Sequence, residues 1–195
     1  SLRQIKKVTA EYFTAADMAG QNNRKVVYCN VFTPVEMLYA LDMFPVYPEN
    51  HAAIVGARKM AAEVSPAAEG IGYSMDLCSY ARCDIGSIKA GISPTWGLPK
   101  PDLILVSNCQ CGTLTKWFEV LSRMYSAPII LIDVPHSDNG APDAAAEKYV
   151  RDQLVDLKGR LEEMSGKKLD ESKFRKPSAS QERPQTCGPV CWNWA

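Results

Sequence analysis

The chain has 195 residues, of which 22 are Lys or Arg and 22 are Asp or Glu, so its formal net charge is zero. This balance gives no electrostatic argument for a nucleic-acid partner or an anionic membrane surface. No apolar run approaches the roughly 20 residues that span a bilayer, and no apolar core follows the charged N-terminal residues as it would in a signal peptide. We therefore expect a cytoplasmic protein with no nucleic-acid and no membrane partner.

The first predicted elements alternate between helix and strand. Apolar residues recur at helical spacing over the first 22 residues, which predicts an N-terminal helix. Strands are predicted over residues 25–31 and 44–48. Between them, the sequence T-P-V-E predicts a helix with Thr33 as its N-cap and Glu36 completing a capping box.

The same alternation continues through the rest of the chain. One or two alanine-rich helices are predicted over 51–67, with a break near Ser65-Pro66. The later predictions are helices over 76–90, 113–125 and 142–164 and buried strands over 102–106 and 128–134. Strands that alternate with helices predict an α/β protein whose mainly parallel sheet, Rossmann-like or flavodoxin-like, carries helices on both faces.

The pattern divides the chain into three parts. Residues 1–24 form the N-terminal helix, residues 25–175 the α/β domain and residues 176–195 an irregular tail. The tail holds two tryptophans and two cysteines without any apolar period. This favours the hypothesis that the tail is not a native part of the fold, and its C-x-x-x-C spacing is therefore discounted as a metal motif.

Seven cysteines are expected to be ligands, catalytic thiols or small buried residues, because disulfides are rare in a reducing compartment. Cys78 is predicted in the opening turn of a helix, where N–H groups and the helix dipole favour a thiolate. Cys109 and Cys111 form a C-x-C after a buried strand, and we expect one of them to face the cleft. Cys29 and Cys83 are interpreted as structural. For Cys78 a structural interpretation stays open as well.

Polar side chains near the predicted strand ends are candidate substrate-binding residues. Asn108 can hydrogen-bond a cluster sulfur or a substrate oxygen, or can act as a helix cap or turn former. The other candidates are Thr33, Glu36, Glu49 and Asn50. His51 and His136 come with no carboxylate pattern, so the sequence predicts neither a zinc site nor a catalytic triad. No dinucleotide or Walker A fingerprint is present.

These residues resemble the 2-hydroxyacyl-CoA dehydratase and benzoyl-CoA reductase family of iron–sulfur enzymes. The resemblance covers most of residues 1–175. The matching segments are Val31-Phe32-Thr33-Pro34-Val35-Glu36-Met37, Pro48-Glu49-Asn50, Gly72-Tyr73-Ser74, Cys78-Ser79-Tyr80-Ala81-Arg82, Pro101-Asp102-Leu103-Ile104, Ser107-Asn108, Cys111 with Lys116-Trp117, and Pro128-Ile129 to Asp133.

The resemblance implies a [4Fe-4S] cluster held by three cysteines. By position Cys78 matches the first ligand and Cys111 the second, with Cys109 as the alternate. The third ligand is implied in a second α/β domain that this chain lacks. The piece alone is therefore not expected to be active.

The resemblance also implies the activity and the partners. The chain is expected to be the N-terminal domain of a subunit that removes water from a 2-hydroxyacyl-CoA through a ketyl radical. The implied partners are the acyl-CoA substrate, a homologous second subunit and an ATP-dependent iron–sulfur activator protein that delivers one electron.

Three alternatives stay open at this stage. The first is a benzoyl-CoA reductase-type subunit that reduces an aromatic acyl-CoA. The second is a non-catalytic flavodoxin-like binding module with incidental cysteines. The third is a structural zinc protein, for which the sequence before the tail offers no convincing set of four ligands.

Overall fold

The computed structural model describes residues 2–136 and 143–170. Within these residues, four parallel strands form one sheet in the order β2-β1-β3-β4. The elements are α1 (Leu2–Gln21), β1 (Val26–Cys29), α2 (Val35–Ala40), β2 (Phe44–Val46), α3 (Pro48–Ala57), α4 (Ala61–Glu69), α5 (Ser79–Ala90), β3 (Leu103–Ser107), α6 (Gly112–Tyr125), β4 (Ile129–Ile132) and α7 (Ala144–Ser165). This architecture confirms the predicted α/β class.

Helices cover both faces of the sheet. Successive residues of a strand point to opposite faces, so Val26 and Tyr28 of β1 pack with α1, α3, α4, α5 and α6. Val27 and Cys29 pack on the other face with α2 and α7. All four side chains of β1 are buried. Burial on both faces explains why β1 and β3 are continuously apolar rather than alternating. The prediction that the last strand is buried as well is wrong, because β4 lies at the edge of the sheet and its Leu131 is exposed.

The strand order contains a topological switch point between β1 and β3. The chain passes from β1 to β2 on one side, while β3 pairs with the other side of β1, with Val27 opposite both Pro45 and Leu103. In open parallel sheets, ligands bind in the crevice at the carboxyl ends of the strands where the order reverses. The loops that follow Cys29 and Ser107 border this crevice.

The predicted capping box before α2 is wrong. The helix begins at Val35 with Pro34 in the N-cap position, and no side chain caps it. The Thr33 hydroxyl donates instead to the carbonyl oxygen of Asn30 at 2.7 Å. A threonine hydroxyl that satisfies a preceding carbonyl is not available to the first N–H groups of the helix.

Two predicted helix boundaries also differ from the structure. Pro66 lies inside α4, and the break falls earlier, before Ala61, where Lys59 has a left-handed φ of 59°. α5 begins at Ser79 rather than near residue 76, because the Ser74 hydroxyl accepts the N–H of Asp76 at 3.1 Å and holds a turn there. Cys78 is therefore the N-cap of α5.

Some predictions concern residues that the structure does not describe. The tail over 176–195 lies outside the described residues, as does the predicted start of the last helix at residue 142. Among the helices of the described ranges, none combines the length and the apolar character needed to cross a membrane.

Candidate thiol and carboxylate site at the carboxyl edge of the sheet

A buried asparagine joins the two central strands at the switch point. Asn30 follows β1 directly and is fully buried. Its Nδ2 donates to the carbonyl oxygen of Ser107 at 3.0 Å and to Oε1 of Gln110 at 2.9 Å. Its Oδ1 accepts the N–H of Ser107 at 3.1 Å. This side chain therefore fixes the end of β3 against β1 and orients Gln110, which lies between Cys109 and Cys111.

Glu49 reaches the same crevice from the first turn of α3. Burial of its carboxyl group raises its pKa above the usual value, and hydrogen bonds from the Gln110 side chain and the Val31 backbone offset part of that rise. Gln110 uses Oε1 to accept from Asn30, so its Nε2 is the donor to Glu49. The result is a half-buried carboxyl group, held by an ordered amide, that retains a proton to a higher pH than an exposed glutamate does.

The cysteines singled out in the sequence lie before two helices. Cys78 is the N-cap of α5 and Cys111 is the N-cap of α6, and neither side chain caps its helix. Cys109 lies two residues earlier in the loop after β3. All three thiols are free and exposed. The unpaired N–H groups at a helix N-terminus favour an anionic ligand or side chain, so this environment suits thiolates.

The segments that carry Cys78 and Cys111 border one cavity. Leu77 and Gly112, the chain neighbours of the two cysteines, both line a largely apolar space of 240 Å³ between α5 and α6. Its other lining residues are Tyr73, Ala81, Ile85, Thr113, Lys116, Trp117 and Val120. This shared cavity indicates that the two N-caps open toward the same side of the domain.

The described residues supply thiol donors but not a complete metal centre. No group of three or more His, Cys, Asp or Glu side chains within residues 2–136 and 143–170 can hold a metal ion. Cys78 and Cys111 fit two positions of a cluster that takes three cysteines, and a further ligand has to come from outside these ranges. Their role as cluster ligands, with Cys109 as the alternate, stays a prediction.

The cysteines interpreted as structural are buried. Cys83 packs in a small core cluster with Val55 and Val64, and Cys29 is fully buried. Burial raises the pKa of the Cys29 thiol to about 12. A thiol in this environment neither ionises near neutral pH nor reaches a ligand. The structural interpretation of both residues is confirmed.

The other candidate substrate-binding residues differ in exposure. Thr33 is buried, whereas Glu36 and Asn50 are exposed. The Asn108 side chain donates to Asp133 Oδ1 and accepts the N–H of Val134 at 2.7 Å, so it joins the loops after β3 and β4. Substrate contacts for these residues stay predictions.

Sequence reasoning missed the residues that organise the site. Asn30 and Gln110 were not predicted, although a polar residue directly after an apolar strand is a usable signal. The interpretation of His51 as a histidine without a carboxylate partner was wrong, because Asp84 Oδ1 lies 2.6 Å from its Nδ1. No local pattern shows this pair, since 33 residues separate the two side chains.

Fold and site together define a doubly wound α/β domain of flavodoxin-like strand order, with exposed thiols and a half-buried carboxyl group at the carboxyl edge of its sheet. The sequence model of the family described as "2-hydroxyglutaryl-CoA dehydratase, D-component" matches residues 30–183. The chain therefore belongs to this family, as the resemblance predicted.

Curated relatives carry names from the same group of enzymes. The chain is 36% identical over 170 residues to the (R)-phenyllactyl-CoA dehydratase alpha subunit of Clostridium sporogenes, an alignment that covers 87% of the chain and 42% of the relative. It is 35% identical to the (R)-2-hydroxyisocaproyl-CoA dehydratase alpha subunit of Clostridioides difficile, with the same coverage. It is 30% identical to a subunit of the benzoyl-CoA reductase of Thauera aromatica, covering 90% of the chain and 41% of the relative. The chain thus spans about two fifths of the length of these relatives.

Proposed function

We propose that the chain forms part of a 2-hydroxyacyl-CoA dehydratase subunit whose site binds a [4Fe-4S] cluster through Cys78 and Cys111. Family membership and the alpha-subunit names of the relatives support this assignment. The observation that carries it is that Cys78 and Cys111 are each an exposed helix N-cap, and that their chain neighbours line one shared cavity. A homologous second subunit and an ATP-dependent iron–sulfur activator complete the proposed assembly.

The residues around the thiols suit this chemistry. When bound, a cluster of this type supplies electrons at low potential and an iron that acts as a Lewis acid. Leu77, Ala81 and Ile85 form an apolar wall beside the two cysteines. Such a wall keeps water away from a reactive acyl group and strengthens electrostatic interactions with it.

Glu49 is proposed as the proton donor of the dehydration. A hydroxyl group leaves as water only if it receives a proton, and a carboxylic acid that is still protonated near the working pH can supply one. Burial raises the pKa of Glu49 in the direction this role requires. The Gln110 side chain hydrogen-bonds the carboxyl group of Glu49, and the Asn30 side chain donates a hydrogen bond to Gln110. We infer that these two amides position the acid.

The test is metal analysis and turnover of the complete gene product, purified without oxygen together with its partner subunit. We expect equal amounts of iron and acid-labile sulfide, and dehydration of a 2-hydroxyacyl-CoA when the activator, ATP and a reductant are supplied. Cys78→Ser and Cys111→Ser should lose the cluster. Cys109→Ser should keep it, which separates the proposed ligand Cys111 from the alternate Cys109. Full iron content in both Cys78→Ser and Cys111→Ser would refute the ligand assignment.

Glu49→Gln separates the cluster from the proton donor. This variant should retain its iron and sulfide but lose dehydration by about 10²–10⁴-fold, the usual contribution of general acid catalysis. Normal turnover in Glu49→Gln would show that the proton comes from another group. Ala53→Ser, at an exposed position of the same helix, is the control for nonspecific effects on α3.

A benzoyl-CoA reductase-type function is the second candidate, supported by the 30% identity to the reductase relative from Thauera aromatica. The same preparation assayed with benzoyl-CoA distinguishes the two candidates. Reduction of the aromatic ring without dehydration of any 2-hydroxyacyl-CoA would favour the reductase. An iron-free and inactive complete protein would instead favour a non-catalytic binding module.

A further inference from the structure

A second cluster of polar side chains lies in the core, behind the apolar cavity. His51 and Asp84 are both fully or almost fully buried. Asp84 Oδ1 lies 2.6 Å from His51 Nδ1, and Asp84 Oδ2 accepts the indole N–H of Trp117 at 3.0 Å. His51 Nε2 lies 2.9 Å from the hydroxyl oxygen of Ser93. The Asp84 carboxylate, the His51 imidazole and the Ser93 hydroxyl therefore form one hydrogen-bonded row.

The Trp117 indole fixes the direction of one of these hydrogen bonds. The indole N–H of Trp117 can only donate, so Asp84 accepts there, and its second oxygen accepts from His51 Nδ1–H. With Asp84 ionised and His51 neutral, the imidazole carries its proton on Nδ1 and presents Nε2 as an acceptor. Ser93 then donates its hydroxyl proton to Nε2.

Backbone contacts agree with this direction for Ser93. The N–H of Thr95 donates to Ser93 Oγ at 3.1 Å, so the serine oxygen already accepts one bond. The proton of Ser93 has two acceptors within reach, His51 Nε2 at 2.9 Å and Thr95 Oγ1 at 3.1 Å, and the shorter contact is the one to His51. The row Asp84–His51–Ser93 has the order and polarity of an orienting carboxylate, a general base and a nucleophile.

The row opens onto a cavity distinct from the thiol site. This space of 380 Å³ is bounded by the second half of α5, the loop that follows it and the end of α6, whereas Cys78 and Cys111 lie at the beginnings of these helices. His51, Ser87 and Ser93 line it, together with apolar groups from Ile88 and Leu98.

A buried hydroxyl group without a protein partner lines this cavity. Ser87 is 2% exposed, and among the described side chains its Oγ is buried without any hydrogen-bond partner. Leaving a buried hydroxyl unpaired costs about 1–3 kcal/mol, so such groups usually meet a bound molecule or water. A molecule in the cavity that presents an oxygen atom to Ser87 would satisfy it.

We propose that Ser93 is a nucleophile that cleaves small acyl esters or thioesters in this cavity. His51 Nε2 takes the hydroxyl proton while Ser93 Oγ bonds to the acyl carbonyl carbon. The bond to the alcohol or thiol then breaks, and that group leaves with the proton from His51. Water, activated by the same base, hydrolyses the acyl-serine to the free acid and restores the hydroxyl group.

The remaining lining residues define the substrate class. The Ser87 hydroxyl donates a hydrogen bond to the oxyanion that forms on the carbonyl oxygen. Ile88 and Leu98 give the acyl chain an apolar wall. A cavity of 380 Å³ accommodates a short chain or a single ring rather than a long lipid. Asp84 contacts no substrate and acts as a positioning residue through His51. The proposal does not depend on the dehydratase assignment.

The test is covalent labelling of the full chain with an alkyl fluorophosphonate, followed by peptide mass spectrometry. The reagent forms an Oγ–P bond at an activated serine and releases fluoride, while His51 takes the proton. We expect Ser93 to be labelled at least about 100-fold faster than the exposed Ser74, because base activation typically contributes 10²–10⁴-fold. Hydrolysis of p-nitrophenyl acetate should show the same dependence on Ser93.

Variants separate catalysis from a structural role. Ser93→Ala should abolish ester hydrolysis, and Asp84→Asn should slow labelling of Ser93 by at least about 100-fold because it removes the carboxylate that fixes the His51 tautomer. Ser87→Ala removes no existing hydrogen bond, so it should fold normally while slowing ester hydrolysis by about 100-fold and also slowing the labelling of Ser93. Thermal unfolding of each variant shows whether it is folded.

Two results would overturn the proposal. One is labelling of Ser93 in the folded wild-type chain at the rate of Ser74. The other is ester hydrolysis that persists unchanged in Ser93→Ala. Both measurements stand even if Asp84→Asn does not fold, since neither uses that variant.

Discussion

Replacing Gly86 with alanine tests the packing that positions α5. Gly86 lies on α5 where α4 crosses it, and a Cβ atom at this position would lie 2.2 Å from the carbonyl oxygen of Val64 and 2.8 Å from the carbonyl carbon. Both atoms belong to the backbone and cannot rotate away. Contacts become ordinary at 3.4 Å, so α4 would have to move from α5 by about 1.2 Å.

The structure allows the net cost to be estimated. Alanine is better than glycine inside a helix by about 1 kcal/mol. Overpacking a tight contact costs about 1–3 kcal/mol, and a separation of 1.2 Å also loses dispersion contacts between the helices, which places Gly86→Ala at the upper end. We expect a net loss of about 2 kcal/mol. In a protein of this size that lowers the Tm by about 4–8 °C.

Gly159→Ala is the matched control. Gly159 lies inside α7, and a Cβ there meets no atom within 4 Å. This variant should gain close to 1 kcal/mol from helix propensity alone. Thermal and urea unfolding of both variants measure the difference. If Gly86→Ala is as stable as Gly159→Ala, the close approach of α4 and α5 is not present in solution, and the placement of Cys78 that depends on α5 has to be revised.

Three further predictions use the carboxyl edge and the core. Iodoacetamide at pH 8 should alkylate Cys78, Cys109 and Cys111 of the native chain and leave Cys29 unmodified, because burial raises the pKa of Cys29 to about 12. Peptide mass spectrometry that finds Cys29 modified as fast as these three would contradict this. Asn30→Leu should lower the free energy of unfolding by about 3 kcal/mol, measured in urea, since it leaves the N–H and carbonyl groups of Ser107 unpaired in the core. The free energy of unfolding of Glu49→Gln, relative to that of the wild type, should increase as the pH rises. The raised pKa of Glu49 makes the wild type lose stability between the ordinary value of 4.5 and the raised value; parallel stability–pH curves for the two proteins would contradict this.

Sequence patterns were sufficient for the fold class. The continuously apolar strands, such as Val26–Cys29 and Leu103–Ser107, indicate a sheet that is buried on both faces. The alternation with amphipathic helices then implies parallel strands. Both signals are local in the chain, so they can be read without knowledge of which strands pair.

The organisation of the site could not be predicted in the same way. Asn30 meets Ser107 across 77 residues of chain, and His51 meets Asp84 across 33. These pairs exist because the strand order brings distant loops together, and no periodicity in the sequence encodes a partner at such a distance. Local patterns can mislead as well. Thr33 was expected to cap α2, but its hydroxyl donates to the preceding carbonyl oxygen of Asn30 instead.

Trp117 connects the two cavities of the domain. Its ring lines the apolar space beside the thiols, while its indole N–H holds the carboxylate of Asp84 on the other side. A molecule that shifted this ring in one cavity would disturb the hydrogen bond to Asp84 beside the other, and any resulting coupling of binding would act in both directions. The same indole is 4% exposed, and in a chain whose other three tryptophans are replaced by phenylalanine its fluorescence would report such a shift.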